Sequence, residues 1–241
     1  MNLSEAIAVR RSRRKYLGTP IAPDEISKLR ETIDQCNKVD GIRMELVTNN
    51  GKAFNGFTRS YGMFSGVNDY ICLIAKKDDP TAEEKLGYYG ELAVLSATAL
   101  GLGTCWVGGT FRKSDMPIKL TNNETLSCAV IVGNVGDKDS AKERLIHRLT
   151  HRKCKSAKEM FECDAPVPKW FMQGMTAVER APSALNRQPV LFAYKGGTIT
   201  ASVKDIHAPG MALDFGIAKL HFKLGAGDGE WEWGNGGVFV R

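Results

Sequence analysis

Two long helical stretches, Ala82 to Leu100 and Ala212 to Leu224, run into the same closing pattern. It reads Leu100-Gly101-Leu102-Gly103 in one place and Leu224-Gly225-Ala226-Gly227 in the other. Glycine ends helices because it adopts the left-handed backbone that a helix stop requires. The shared ending points to an internal repeat of about half the chain. Glycine at a helix stop is common, so the pattern alone leaves chance open.

The elements around these helices follow in a matching order. A helix is expected from Leu3, opened by Ser4 or its neighbour and ending near Arg10. Pro20 and Pro23 mark a turn, and Asp24 suits the N-cap of a helix with Ile26, Leu29, Ile33 and Cys36 on one face. Ile42 to Val47 alternates like a strand, and Asn49-Asn50-Gly51 is turn chemistry. Tyr70 to Ala75 and Ser127 to Val132 are short apolar runs that suit buried strands, with the first long helix between them. After about residue 150 the order begins again. Ala157 to Phe161 is a short helix, Pro166 and Pro168 make a turn, and Trp170 to Arg180 is a helix. Val190 to Tyr194 is a strand that enters a hairpin turn at Lys195-Gly196-Gly197-Thr198.

A chain of 241 residues, 43% apolar and 25% charged, can build one large domain or two small ones. Its formal charge is +6, which suits a nucleic acid, an anionic ligand or electrostatic steering. Five of the six residues from Arg10 to Lys15 are basic, and a second basic stretch runs from Lys138 to Lys158. Neither is interleaved with aromatics as in a single-strand-binding surface, so a nucleic-acid partner is not expected. Cys36, Cys72, Cys105, Cys128, Cys154 and Cys163 form no C-x-x-C pair, which argues against a zinc or iron–sulfur centre. Cys72 and Cys128 read as buried thiols. The N-terminal stretch lacks a signal-peptide core, and no apolar run approaches the ~20 residues of a membrane span. A soluble protein of a reducing cytoplasm, without a membrane partner, is expected.

Three segments carry a more specific signal. Arg10-Arg11-Ser12-Arg13-Arg14-Lys15-Tyr16 fits R-R-S-x-R-[KR]-[FY]. Ala181-Pro182-Ser183-Ala184-Leu185-Asn186-Arg187-Gln188-Pro189 fits A-P-S-x-x-N-x-Q-P. Leu100 to Gly109 fits a G-L-G-x-x-W segment followed by glycines. Together they resemble the nitroreductase family of FMN enzymes across most of the chain. Several arginines near a helix end can clamp a dianionic phosphate by bidentate, charge-assisted bonds, and Arg suits the anionic N1–C2 region of a flavin. Alone, such a cluster reads better as an exposed basic helix end stabilised by its dipole.

The resemblance implies FMN contacts from Arg10, Arg11, Ser12 and Arg14, with Arg13 facing solvent. It implies a loop of Pro182, Ser183, Ala184, Asn186 and Gln188 against the isoalloxazine. It places a backbone N–H from Val107, Gly108 or Gly109 at flavin N5, since paired glycines let backbone approach a planar ligand. Arg152, or Lys153, adds a phosphate contact, and the loop from Phe57 to Phe64, with Tyr61 and Phe64, is a candidate flavin cover, its aromatics otherwise ordinary core. The implied chemistry is ping-pong, from NAD(P)H through the flavin to a small acceptor such as a nitroaromatic or quinone. The cofactor carries that chemistry, so no catalytic side chain and no metal is assigned. Cys105 and Trp106 read as core, and His221 as a packing or hydrogen-bonding residue.

In ordinary family members the arginine and P-S-x-x-N motifs lie close together within a subunit, and each flavin takes one from either chain. Here they lie about 170 residues apart. Gln35 to Gly41 stands where the first half's loop would fall, and Lys155 to Phe161 where the second half's arginines would. Each half keeps what the other lacks. The expected fold is α+β and nitroreductase-like, with mixed or antiparallel sheets flanked by helices. Residues 1–154 and 155–241 would form two tandem half-repeats, together an intramolecular pseudo-dimer with one FMN. A rearranged member that still dimerises is the alternative, and further homodimerisation of the pseudo-dimer is left open. A non-catalytic flavin storage or sensing protein is the rival function; a dehalogenase or ring-modifying specialist is a third reading.

Overall fold

The computed structural model describes residues 1–55, 60, 62–136, 143–144 and 154–241. Contacts group the chain into two units: Met1–Asp79 with Ala93–Leu149, and Pro80–Leu92 with Thr150–Arg241. The second unit therefore takes in a segment from the middle of the chain, a grouping that cuts across the expected halves.

In the first unit, helix α1 (Leu3–Val9) is capped by Asn2 rather than Ser4. The Asn2 side chain accepts the Glu5 N–H at 2.9 Å, and the Glu5 carboxylate accepts the Asn2 N–H at 2.8 Å. This reciprocal box satisfies two otherwise orphaned amides, which a serine inside the first turn cannot do. Helix α2 (Pro23–Cys36) starts two residues earlier than expected, with Ala22 at the cap and Asp24 in the first turn. Pro23 decides the boundary, because its ring presets φ and it has no N–H to leave unpaired. Leu29, Ile33 and Cys36 are buried as the spacing requires.

Among the described residues the first unit carries a four-stranded antiparallel sheet of β1 (Ile42–Val47), β2 (Asp69–Lys76), β3 (Gly103–Val107) and β4 (Glu124–Gly133), in the order β1-β2-β4-β3. Three strands were expected, β1 from its alternation and β2 and β4 from their apolar runs. β3 was not expected, since a five-residue stretch led by glycine has no clear period; it forms by pairing Cys105 with Ile131 and Thr104 with Val132. The core on this sheet includes Phe54, Phe64, Tyr70 and Phe111, with Phe54 and Tyr70 edge-on at 4.9 Å. Phe64 is thus a core residue, not a flavin cover. Phe57 and Tyr61 lie outside the described residues.

Helix α3 (Ala82–Ala99) contributes to both groupings, dividing at Leu92. It stops where expected: Gly101 takes φ 88°, and the Leu102 N–H reaches back to the Ala97 carbonyl at 3.0 Å.

In the second unit, the residues 157–161 expected as a helix form a short 3-10 turn (Ala157–Glu159) and then strand β5 (Phe161–Cys163). β5 pairs in parallel with β6 (Leu191–Lys195), which forms the expected hairpin with β7 (Thr198–Ser202). β8 (Glu230–Trp231) and β9 (Val238–Val240) complete a mixed sheet in the order β5-β6-β7-β9-β8. Helices α4 (Lys169–Val178) and α5 (Met211–Ala226) pack together.

Helix α5 stops within the expected Gly225-Ala226-Gly227, ending at Ala226 with Gly227, at φ 85°, as its C-cap. A Cβ on Gly225 would lie 2.5 Å from the Gln173 carbonyl and 2.9 Å from Gly174 Cα. Gly225 is therefore a contact between helix backbones. The two Leu-Gly-x-Gly patterns do different physical work, and their likeness no longer argues for a repeat. The fold itself is α+β, with one antiparallel and one mixed sheet.

Candidate functional site

The arginine segment leaves α1 in an extended conformation, with Arg10 as C-cap at φ −56° and ψ 134°. It then runs beside β3. Ser12 bridges Thr104 in parallel, and the Arg13 N–H donates to the Thr104 carbonyl at 2.8 Å. Its other side meets Ser65, which donates to the Arg14 carbonyl at 3.1 Å and accepts from the Tyr16 N–H at 2.9 Å. Two of the three motif segments are thereby brought together within the first unit.

Glu143 fixes this arrangement. It is 5% exposed, and its Oε1 accepts the N–H of Arg14 at 2.7 Å and of Lys15 at 3.0 Å. Arg13 Nε stands 3.4 Å from the same oxygen, and an Arg13 Nη donates to the Gly136 carbonyl at 2.9 Å. Arg13, expected to face solvent, is thus folded inward with its side chain 12% exposed. Two local acceptors outweigh hydration of its guanidinium.

Arg11 and Ser12 are exposed, while Arg10 and Arg14 are half-buried. Arg10, Ser12 and Arg14 all act on one neighbour, Cys105. Burial pushes its thiol pKa up, Arg14 and then Arg10 pull against that, and the Ser12 side chain hydrogen-bonds it. Cys105 is therefore a neutral core thiol and not a nucleophile. Among the described residues, Arg14 Nε and Thr104 Oγ1 are buried without a hydrogen-bond partner. A buried guanidinium nitrogen lacking an acceptor is costly. An anionic or carbonyl-bearing ligand relieves that cost, so this patch fits the polar part of FMN. At the end of β3, Val107 is buried, whereas Gly108 and Gly109 are exposed. A Cβ at either glycine would meet nothing within 4 Å, which leaves their backbone open to a planar ligand.

The third motif lies in the second unit. After Pro182 the backbone turns sharply through Ala184–Asn186, with positive φ at Leu185 (54°), Asn186 (51°) and Gln188 (44°). Ser183 Oγ accepts the Gln188 N–H at 2.9 Å. Gln188 is buried; its Oε1 accepts the Lys155 N–H at 2.7 Å and its Nε2 donates to the Glu179 carbonyl at 3.2 Å. Its amide is engaged inside the unit. Asn186 Nδ2 donates to Cys154 Sγ at 3.4 Å, and Leu185 stands 54% exposed. Arg152 and Lys153 fall outside the described residues. His221 is fully buried, with Nδ1 3.0 Å from the Ala177 carbonyl and Nε2 3.0 Å from Glu91 Oε1, a hydrogen-bonding role as expected.

Glu143 and Asp214 were missed in the sequence. Glu143 sits in a basic stretch with no pattern of its own. Asp214 did carry a signal, a lone acid inside the apolar run Met211-Ala212-Leu213-Asp214-Phe215-Gly216-Ile217. It is 7% exposed, and both its carboxylate oxygens accept the Ala184 N–H at 3.0 Å. Burial pushes its pKa up to about 7, against the pull of the Ala184 amide and of Arg187. The unfolded chain releases this proton near 3.8, so between these values the folded state holds the extra proton. Stability should then fall as pH rises from about 4 through 7, by an amount of order 4 kcal/mol. Urea unfolding across that range should show this slope, and Asp214→Asn should flatten it. An unchanged slope in the variant would rule Asp214 out as its source.

The model of the family described as "Putative TM nitroreductase" matches residues 2–226. A "putative nitroreductase" of Thermotoga maritima is similar in structure, with a TM-score of 0.61 and 21% identity over 99% of this chain and 92% of that one. An FMN-dependent nitroreductase of Clostridium difficile R20291 gives a TM-score of 0.45 at 18% identity, over 61% of this chain and 97% of its own. A nitroreductase with bound FMN from Bacteroides fragilis gives 0.45 at 17%, over 58% and 91%. No curated protein matches the sequence. The likeness to the Thermotoga maritima protein, at low identity, bears on the fold alone, and the family match extends over nearly the whole sequence. Because that family model spans residues 2–226, the chain belongs to the nitroreductase family.

Proposed function

We propose that this chain binds one FMN and passes two electrons from NADH or NADPH to a small oxidised acceptor such as a nitroaromatic or quinone. The observation that carries the reading is the convergence of Arg10, Ser12 and Arg14 beside β3, with Arg14 Nε buried and awaiting an acceptor. Arg10 and Arg14 are assigned to the phosphate and the N1–C2 edge, with Arg11 and Arg152 as further phosphate contacts. Val107 to Gly109 is assigned to the N5 edge. Pro182, Ser183, Ala184 and Asn186 are assigned to the ring, with Gln188 shaping their loop from within. When bound, FMN supplies the two-electron hydride chemistry; the protein's part is to hold it, orient it and leave one face accessible.

That there is one FMN, not two, rests on the motifs alone: the arginines occur in one half of the sequence and P-S-x-x-N in the other. The visible spectrum of purified protein tests both points. A flavin band at one flavin per chain, with NAD(P)H oxidation by a nitroaromatic or quinone, is the expected result. No band and no FMN uptake on titration would sink the reading. Two flavins per chain would refute the single site, and FMN binding without turnover would favour storage or sensing.

A further inference from the structure

We propose that Asp214 is the positioning residue of the Pro182–Gln188 loop, fixing the Ala184 peptide and through it the side chains that meet the flavin. This rests on the FMN reading above. The loop carries three side-chain-bearing residues in the left-handed region, Leu185, Asn186 and Gln188. Such backbone is unfavourable and persists only where surrounding contacts over-determine it.

The contacts divide into two sets. At the C-terminal end, the Gln188 N–H is held by Ser183 Oγ, its side chain by Lys155 and Glu179, and its carbonyl by Lys155 Nζ at 2.8 Å. At the apex, the Arg187 N–H donates to the Ala184 carbonyl and the Asn186 N–H to the Ser183 carbonyl, which shape the turn, while Asn186 Nδ2 donates to Cys154 Sγ at 3.4 Å. The bond from the Ala184 N–H to Asp214 attaches that turn to α5.

Beneath the loop lies a cavity of about 10 Å³, room for one water, bordered by Pro182, Ser183, Pro189, Asp214 and Ala218. Asp214 and the loop residues Pro182 and Ser183 border the same small gap. Burying a carboxylate in an apolar helix is also unfavourable by itself, and leucine there would cost the helix nothing. The acid makes sense as the acceptor that the Ala184 N–H needs.

The test compares wild type with Asp214→Ala and Asp214→Asn. Three quantities are read: FMN affinity by titration, the flavin absorption spectrum, and hydrogen exchange at the Ala184 amide in FMN-free protein. Asp214→Ala should bind FMN about tenfold more weakly, shift the bound flavin's absorption, and exchange Ala184 about tenfold or more faster. Asp214→Asn keeps an acceptor oxygen and should restore affinity to within about threefold of wild type. If the alanine variant does not fold, Asp214→Leu, which suits the helix and also lacks an acceptor, takes its place. Unchanged affinity and spectrum in the acceptor-free variant would overturn the proposal, and so would an asparagine variant as weak as alanine. If wild type takes up no FMN, the flavin reading fails. The exchange data would then show separately whether Asp214 holds the loop.

Discussion

Replacing Arg10 and Arg14 together by alanine should abolish FMN retention while leaving the protein folded. Each arginine offers charge-assisted hydrogen bonds of about 1.5–3 kcal/mol, so losing both should weaken binding by about 10²–10⁴-fold. The fold should survive because the segment is held mainly through its backbone. Thr104 and Ser65 pair with the Arg13, Arg14 and Tyr16 peptides, and Glu143 accepts the Arg14 and Lys15 N–H groups whatever the side chains are. Flavin content after gel filtration and an FMN titration would measure the effect. Wild-type affinity in the double variant would show that the phosphate lies elsewhere. Arg13→Ala provides the contrast: its guanidinium is tied to Glu143 and Gly136, so it should cost stability more than affinity.

The largest stability effect is expected at Lys219. Its side chain is fully buried in α5, and Nζ donates to Glu84 Oε1 at 2.5 Å and to the carbonyls of Glu232 at 2.9 Å and Gly234 at 3.3 Å. All three ammonium donors are engaged, and the Phe215 ring centroid lies 4.2 Å from Nζ. The second carboxylate oxygen of Glu84 accepts the Gly234 N–H at 2.7 Å. Burial pushes the Lys219 pKa down, while Glu84 pulls it back up, so the ammonium depends on its partner. Lys219→Met should destabilise the second unit by about 3–5 kcal/mol, because it leaves the Glu84 carboxylate buried and uncompensated. Glu84→Leu should cost a similar amount for the mirror-image reason. The double variant should cost distinctly less than the sum of the two, since replacing both charges removes the orphan. Chemical denaturation of the four proteins measures this coupling; strictly additive losses would contradict it.

Much of the fold was legible locally. The alternating stretch at 42–47 and the apolar runs at 70–75 and 127–132 became strands, since alternation suits a half-buried strand and a short apolar run a buried one. The stop of α3 at Gly101 was legible for the same kind of local reason, a backbone angle that glycine alone adopts freely. Gly225 looked identical in sequence and turned out to be a helix contact, because its role is set by Gln173 and Gly174 on another helix. β3 was invisible because pairing with β4, rather than any pattern of its own, makes it a strand.

The candidate site divides in the same way. Its ligand chemistry, arginines for an anion and glycines for a flat ring, stands in the sequence, because residue type fixes charge, donor geometry and bulk. The sequence by itself thus determined the family motifs and the kind of ligand they suit. Only the tertiary structure decided that Arg13 turns inward while Arg14 Nε stays without a partner, that Glu143 pins the segment, and that Asp214 holds the loop. Those outcomes depend on acceptors far away in the chain, Glu143 lying 129 residues from Arg14 and Asp214 lying 30 from Ala184. A hydrogen bond forms wherever folding brings donor and acceptor within about 3 Å, and no local pattern records which distant acceptor that will be.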